Sequence, residues 1–354
     1  MINNFINDSI DLLKKLIAIP SFSKEEKAVA DFLEERLKSM GLEPERLLNN
    51  IWVTAPNYQA DRPTLLLNSH IDTVKPSDNW SADPFVPLEK DGKIIGLGSN
   101  DAGGPLVSLL AAFRYLSQKE QSYNLIFAAT AEEEISGANG IIALLPKLGE
   151  IDLGVIGEPT QMQMAIAEKG LMVIDGTVEG KAGHAARDEG VNAIYKALPI
   201  IDFFQKYKFE KESEFLGPVK MTVTGIQAGN QHNVVPDQCT FMVDVRVNEC
   251  YSNQEVFEIL QSKVDCQLKA RSYRLNSSSI SQEHPIVKKG ISLGLTPFGS
   301  PTLSDQALMK FTTLKIGPGD SARSHTADEF IFTQEIKEGV EKYIKILDGL
   351  QITK

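Results

Sequence analysis

Cysteine and histidine are both scarce in this chain of 354 residues. Three cysteines are present, at positions 239, 250 and 266, and there are five histidines. Three unpatterned cysteines form neither a disulfide framework nor a Cys-rich zinc module. Any bound metal must therefore be held by carboxylates and by the few histidines. The histidines are His70, His184, His232, His284 and His325.

An excess of positive charge is also missing. Lys and Arg total 36 against 47 Asp and Glu, a formal net charge of −11, which argues against a surface for nucleic acid or anionic membranes. No run of about 18 apolar residues is present, so no membrane-spanning helix is expected. The first 20 residues place Asp8, Asp11, Lys14 and Lys15 within an apolar repeat of helical spacing. This pattern predicts an amphipathic first helix, not a signal peptide, and a cytosolic location.

Helical and strand patterns alternate along the first half of the chain, whose full length predicts two domains. Helical patterns cover residues 24–40 and 105–120. Short apolar runs at 64–68, 123–130 and 152–157 are flanked by turn-forming residues. Such runs predict buried strands of an α/β sheet that helices cover on both faces.

The pattern changes from about Leu171 onwards. Two helical and several strand segments follow in a split βαβ order of about a hundred residues, typical of a small α+β sandwich. After it, helix and strand patterns return that would complete the first sheet. We therefore predict a discontinuous catalytic α/β domain with a mixed sheet, residues 1–166 and 276–354. A smaller, ferredoxin-like α+β domain, residues 167–275, interrupts it.

Polar residues follow the predicted strands at their carboxyl ends. His70 and Asp72 follow the first run, residues 132–134 (Glu-Glu-Glu) follow the second, and Glu158 follows the third. A glycine-rich turn at 96–104 presents Asp101 just before a helix. Taken singly, these are also the features of a turn histidine, a solvated acidic face and a plain helix entry. Together at one edge of an open α/β sheet, they indicate a site for a cation such as Zn²⁺ or Co²⁺.

Five motifs, in this order, resemble those of a family of co-catalytic metallopeptidases. This family includes acetylornithine deacetylase, succinyl-diaminopimelate desuccinylase and glutamate-type carboxypeptidases. The resemblance covers nearly the whole chain and is greatest to acetylornithine deacetylase. The motifs are His70-x-Asp72, Gly98-x-x-Asp101-x-Gly-Gly, Thr130-Ala-Glu-Glu-Glu134, Gly157-Glu158-Pro-Thr and Ser324-His325-Thr-Ala-Asp-Glu329.

The resemblance implies a two-metal site. One cation would be held by His70, Asp101 and Glu158. The other would be held by Asp101, Glu134 and His325, so that Asp101 bridges the pair. The implied cofactor is Zn²⁺, one or two ions per subunit, with Co²⁺ able to substitute for it.

The resemblance also assigns catalytic roles at the same strand ends. Glu133 would be the general base, and Asp72 would fix the orientation of the His70 ring. If the glutamate run is read one residue earlier, the base and ligand roles fall on Glu132 and Glu133 instead.

The inserted domain resembles the lid of the same family. His184, in the segment Gly180-Lys-Ala-Gly-His-Ala-Ala-Arg187, would reach the substrate carbonyl oxygen across a dimer interface, which implies a homodimer. His232 is left open as a participant. A substrate carboxylate calls for the planar, two-pronged guanidinium of arginine. The residues expected to bind substrate are Arg246, Asn233, Arg187 and Arg323.

The implied activity is metal-dependent hydrolysis of the amide bond of a small N-acylated amino acid. N-acetylornithine is the expected substrate, or acetylcitrulline or acetyl-lysine, in arginine or lysine biosynthesis. Desuccinylation of ornithine, citrulline or diaminopimelate, and dipeptidase or carboxypeptidase activity, stay open, as does a non-catalytic metal-stabilised binding protein. Two departures from the family pattern bear on the substrate. Leu97 and Gly103 stand where the family commonly has a basic residue and a lysine.

Overall fold

The computed structural model describes residues 2–353, which form helices and strands in mixed order. The helices are α1 (Ile2–Ile17), α2 (Lys27–Ser39), α3 (Gly104–Leu116), α4 (Ile141–Leu148), α5 (Ala193–Lys206), α6 (Asn253–Gln261), α7 (Pro285–Ser292) and α8 (Thr333–Leu347). The strands are β1 (Glu45–Leu47), β2 (Asn50–Thr54), β3 (Thr64–His70), β4 (Leu88–Lys90), β5 (Lys93–Ile95), β6 (Asn124–Thr130), β7 (Leu153–Ile156), β8 (Met164–Glu168), β9 (Gly170–Glu179), β10 (Gly183–His184), β11 (Lys220–Ala228), β12 (Val234–Val235), β13 (Gln238–Val247), β14 (Gln267–Ala270), β15 (Ser278–Ser279), β16 (Pro297–Ser300), β17 (Thr312–Lys315) and β18 (Phe330–Phe332). Within the described residues, no helix combines the length and the apolar character needed to cross a membrane.

The chain divides into two compact units. The first comprises the described residues up to Ile166, Ser279–Phe298, and the described residues from Ser304 onwards. The second comprises Ala167–Ser278 and Gly299–Leu303. The domain boundaries and the lid role expected from the sequence stay predictions.

The first unit is built around a mixed sheet with the strand order β1-β2-β6-β3-β7-β17-β8. Strands β6, β3, β7 and β17 run parallel to one another, whereas β1, β2 and β8 join by antiparallel pairing. Every residue of β3 and β6 is buried, as expected for strands covered by helices on both faces. The predicted α/β class is therefore confirmed.

Helices cover the first sheet because their apolar faces pack against it. Helix α3 contacts β3 and β6 and packs against α1 and α8. Ile141 and Leu144 of α4 join a separate apolar cluster with Trp52 and Leu66 of the sheet. Pro105 lies in the first turn of α3, where a missing backbone N–H costs nothing.

The main elements of the second unit follow in the order β9-α5-β11-β13-α6-β14, and their strands form an antiparallel sheet of order β11-β13-β9-β14. This is the ferredoxin-like arrangement expected from the sequence. The short strands β10 and β12 pair separately. Apolar residues of β9 and β13 pack with those of α5 and α6 in one buried cluster. Asn192 caps α5, and Ser252 and Glu255 form a capping box at the start of α6.

Candidate metal centre

Three neighbouring parallel strands end at the same edge of the first sheet. Strand β3 lies between β6 and β7, and the residues that follow each strand carry the acidic and histidine side chains singled out from the sequence. Strand β3 itself ends on His70, and Glu158 follows β7 by two residues. Parallel pairing therefore brings side chains from distant parts of the chain to one place.

Asp101 reaches this edge from a tight turn, residues Ser99–Gly103, directly before α3. Gly98 enters the turn with φ of 75°, a left-handed conformation that favours glycine. A Cβ at Gly98 would also lie only 2.6 Å from the Thr73 side chain. Both constraints require glycine here, which explains one residue of the glycine-rich motif.

Two groups of side chains converge at the sheet edge, and Asp101 belongs to both. In the first, His70 Nε2 lies 3.2 Å from Asp101 Oδ1 and 3.9 Å from Glu158 Oε1. In the second, His325 Nε2 lies 3.0 Å from Glu134 Oε2 and 3.7 Å from Asp101 Oδ2. Within each group the candidate ligand atoms all lie within 4.8 Å of one another. Each group could hold one cation, with the Asp101 carboxylate common to both.

Asp72 holds two parts of the site in place through hydrogen bonds and close contacts. His70 Nδ1 lies 2.9 Å from the Asp72 carbonyl oxygen and 3.5 Å from its Oδ1. With its proton on Nδ1, the ring turns the lone pair of Nε2 towards Asp101 and Glu158, as a metal ligand requires. The Asp72 carboxylate also accepts the backbone N–H groups of Glu133 and Glu134, at 3.0 and 3.1 Å. Asp72 thus fixes an imidazole and the glutamate run together.

The three consecutive glutamates point in different directions. The Glu132 carboxylate accepts hydrogen bonds from the backbone and side-chain amides of Asn139 at 3.1 and 2.9 Å, and Glu132 is 4% exposed. Glu133 Oε2 lies 3.9 Å from His70 Nε2, and Glu134 belongs to the second group. Glu133 and Glu134 therefore lie at the candidate metal centre, whereas the Glu132 carboxylate is bonded to Asn139.

Some residues of the site carried no role at the sequence level. Glu329, quoted only as part of a motif, accepts backbone N–H groups of the Asp101 turn. Asp305 is buried and accepts hydrogen bonds from Asn68 and Thr130. The Ser23 hydroxyl donates to Asp72 Oδ2 at 2.7 Å. A motif position could have flagged Glu329; no pattern flagged Ser23 or Asp305.

Four predicted site residues belong to the second unit. His184 lies on β10, is exposed, and accepts the Ala186 N–H on Nδ1 at 3.1 Å. The Asn233 carbonyl accepts the N–H of Ala185 beside it. Arg187 is exposed, 3.8 Å from Glu189. The remaining residue, Arg246, makes two hydrogen bonds to Asp244 on the same strand.

Arg323 lies in the first unit, but its guanidinium is already engaged. It donates two hydrogen bonds to the Glu335 carboxylate, at 2.7 and 3.1 Å, and lies over the Phe330 ring. This leaves less of the guanidinium for a substrate. Of the two family departures, Leu97 is buried, and a Cβ at Gly103 would lie only 2.4 Å from the Gly98 carbonyl oxygen. The local backbone therefore has no room for a lysine at position 103.

Residues 66–349 match the family described as peptidase family M20/M25/M40. The matched range includes every member of both candidate cation groups. The chain belongs to this peptidase family. The prediction of a metallohydrolase is confirmed, and at this level the M20 chain is a metal-dependent peptidase or amidohydrolase.

Curated relatives of this M20 chain include two succinyl-diaminopimelate desuccinylases. The enzyme of Delftia acidovorans is 27% identical, with 72% of this chain and 71% of the relative covered. The enzyme of Buchnera aphidicola is 29% identical, with 71% and 72% covered. Acetylornithine deacetylase specificity is not supported by these two relatives.

Solved structures share the fold of this M20 chain. A tripeptidase from Staphylococcus aureus has a TM-score of 0.76 at 20% identity and 97% coverage of both chains. A dinuclear metal-binding M20 peptidase from Bacillus subtilis has a TM-score of 0.75 at 17% identity, with 98% of each chain covered. At these identities the likeness shows the fold alone.

The chemistry of the site fits the divalent cations of the M20 family. Burial raises the pKa of Glu158 to about 8, and the neighbouring Asp101 carboxylate contributes to the shift. Burial also holds the pKa of Glu133 well above its usual range, with Glu158 contributing. The Glu134 carboxylate raises the pKa of His325 to about 9. Buried carboxylates crowd together here, and oxygen and imidazole ligands of this kind are those that zinc and similar metals take.

The shared position of Asp101 predicts how cation binding responds to substitution. We expect the chelator-treated protein to bind two equivalents of Co²⁺ or Zn²⁺ by isothermal titration calorimetry. Asp101→Asn should weaken both binding steps by more than the about 10–100-fold expected for loss of a residue that only orients a ligand. His325→Ala should remove one step and leave the other. Two intact steps in Asp101→Asn would contradict the shared arrangement.

Proposed function

We propose that this chain hydrolyses the amide bond of an N-acylated amino acid, with two divalent cations held at the edge of the first sheet. The observation that carries the proposal is the pair of ligand groups that share Asp101, with Glu133 beside them. The proposed ligands are His70, Asp101, Glu134, Glu158 and His325. Zn²⁺ is the proposed metal, with Co²⁺ able to replace it.

Glu133 is proposed as the general base. The cations, when bound, would polarise the scissile carbonyl and lower the pKa of water to about 7. The Glu133 carboxylate takes the proton of the attacking water and passes it to the departing amine nitrogen. The Asp72 carboxylate holds the Glu133 backbone N–H and the His70 ring in place during both steps.

A paired comparison tests the assignment of the base. Glu133→Gln should keep metal content and lower kcat by about two orders of magnitude or more, because it removes the proton acceptor. The matched change Glu132→Gln alters a carboxylate that is hydrogen-bonded to Asn139, so kcat should fall far less than in Glu133→Gln. Steady-state kinetics with metal analysis of each variant gives the answer. A fully active Glu133→Gln protein would overturn the assignment.

His184 is proposed to act on the substrate of a second copy of the chain. Its Nδ1 accepts the Ala186 N–H, so in the neutral ring the proton is on Nε2. Nε2 can then donate a hydrogen bond to the carbonyl oxygen as negative charge develops there. This role requires a homodimer.

An exposed apolar surface on the second unit supports the proposed dimer. On α5, Tyr195 and Leu198 are 72% and 57% exposed, and Ile226 of the neighbouring β11 is 54% exposed. Strand β11 ends the order of its sheet, paired only with β13 among the described residues. Exposed apolar residues beside a sheet edge are typical of a surface that another chain covers.

The dimer is tested by charge introduced on this surface. Leu198→Glu should convert the dimer into a monomer, because it places a charge in the apolar surface. Light scattering after size exclusion measures the mass. Activity should be lost as well if His184 acts across the interface. The control is Leu293→Glu, since Leu293 is also exposed (42%) but belongs to the first unit. An active wild-type monomer would refute both the dimer and the role of His184.

A succinylated substrate is proposed ahead of an acetylated one. The supporting observation is that two curated relatives, 27% and 29% identical to this chain, are named succinyl-diaminopimelate desuccinylase. A succinyl group adds a carboxylate, and Arg246 and Arg187 are the proposed guanidinium partners, with Asn233 beside His184. Arg246 and Arg323 are each held by a neighbouring carboxylate through two hydrogen bonds. Arg323 has the weakest support because its side chain is also the least exposed of the three arginines. Acetylornithine deacetylation, our expectation from the sequence, becomes the second candidate.

A panel of substrates separates these activities. We expect kcat/KM with Zn²⁺ or Co²⁺ to be highest for succinyl-diaminopimelate or another succinyl amino acid. The matched acetyl compounds should be at least about tenfold poorer, since one charged contact is lost. Faster cleavage of acetylornithine would restore the first expectation, and cleavage of dipeptides alone would indicate a peptidase.

The cytosol is the proposed location. All three cysteines are free thiols, as is usual in reducing compartments. A disulfide between any two of them in protein taken from its native cells would contradict this proposal.

A further inference from the structure

Both carboxylate oxygens of Glu329 accept hydrogen bonds from the turn that carries Asp101. Its Oε1 accepts the backbone N–H groups of Asn100 and Asp101 at 2.7 and 2.9 Å. Its Oε2 accepts the N–H of Gly98 at 3.1 Å. The residue is 2% exposed, so water does not compete for these bonds.

The backbone of Glu329 holds the same turn a second time. Its carbonyl oxygen accepts the Gly96 N–H at 3.0 Å and the Ser99 hydroxyl at 3.3 Å. The next residue, Phe330, pairs with Ile95 where β18 lies against β5. The segment 95–101 is therefore bonded to residues 329–330 along its length.

These bonds satisfy donors that the turn cannot satisfy itself. Asp101 has φ and ψ of −119° and 99°, outside the helical range, so the turn does not continue the hydrogen-bond pattern of α3. Buried N–H groups left without an acceptor destabilise the fold. A carboxylate is the acceptor best suited to several N–H groups that converge.

Glu329 also connects this turn to the other side of the site. It follows His325 by four residues, and His325 Nε2 lies 3.7 Å from Asp101 Oδ2. The Asn100 side chain bonds the backbone of Asp320 at the opposite end of the same loop. The loop of His325 and the turn of Asp101 are thus joined at both ends.

Glu329 is a poor candidate for a ligand. Its carboxylate oxygens face backbone amides, and it belongs to neither candidate cation group among the described residues. We propose that Glu329 is a positioning residue that fixes the shared Asp101 carboxylate against His325, so that both cation groups form together. This inference rests on the proposed two-metal function.

The test is Glu329→Gln, which keeps the size of the side chain. Its amide oxygen can still serve two N–H groups, but its NH₂ group must face a third donor. We expect both steps of Co²⁺ binding to weaken at least about tenfold, with kcat lowered in parallel, because residues that orient ligands have effects of this size. The visible spectrum of the Co²⁺ protein should shift as well.

The matched control is Asp152→Asn. The Asp152 carboxylate accepts the Thr64 N–H at 2.7 Å, at the end of β3 opposite His70. The amide oxygen of asparagine can still accept the Thr64 N–H, so the change weakens this bond by removing the negative charge, without touching the Asp101 turn. We expect its thermal stability to fall while Co²⁺ affinity and spectrum stay as in wild type.

The outcomes are separable. If wild type binds no cation, the proposed function fails, and this inference fails with it. If wild type binds two Co²⁺ and Glu329→Gln binds them with unchanged affinity and spectrum, only the positioning role is overturned. Loss of one binding step alone also overturns it, since Asp101 serves both groups. Should Glu329→Gln not fold, as judged by circular dichroism, Glu329→Asp, which keeps the charge on a shorter arm, decides by the same readouts.

Discussion

Repulsion among buried carboxylates is the constraint on which this structure depends. Asp101, Glu133, Glu134 and Glu158 crowd around His70 and His325 at the end of a buried sheet. Burial and mutual repulsion make the charged forms costly, which explains the raised pKa values of Glu133 and Glu158. Divalent cations bound at this site would offset the repulsion among the carboxylates. The fold must therefore hold these groups together against their own electrostatics.

Rigid backbone contacts meet that requirement. The parallel strands β3, β6 and β7 fix where His70, the glutamate run and Glu158 leave the sheet. The Asp72 carboxylate then bonds the backbone of Glu133 and Glu134 as well as approaching His70. Carboxylates such as that of Asp72 accept backbone N–H groups and so hold the candidate ligands in place without being candidate ligands themselves. The arrangement keeps charged groups close because buried carboxylates, each bonded to backbone N–H groups, hold the segments that carry them.

The sequence predicts the strands and the candidate ligands of the site better than the hydrogen bonds that hold them in place. Apolar runs identified β3 and β6, and the polar residues after them converge because parallel strands share an edge. The bonds between Glu329 and the Asp101 turn, 228 positions apart, were not predictable, since a backbone N–H gives no signal in residue identity. Asp305 was missed for a related reason, because its partners Asn68 and Thr130 lie within apolar strands. The pairing of Arg323 with Glu335 depends on how α8 packs, which local patterns do not specify.

We propose that one carboxylate, that of Asp101, organises two cation sites in this member of the M20 family. Crystals grown with Zn²⁺, with anomalous data collected on both sides of the zinc absorption edge, test it most directly. We expect two zinc peaks, one bound by His70 and Glu158, the other by Glu134 and His325, with Asp101 a ligand of both. A single peak at full zinc occupancy, or two peaks with Asp101 bound to one alone, would contradict it.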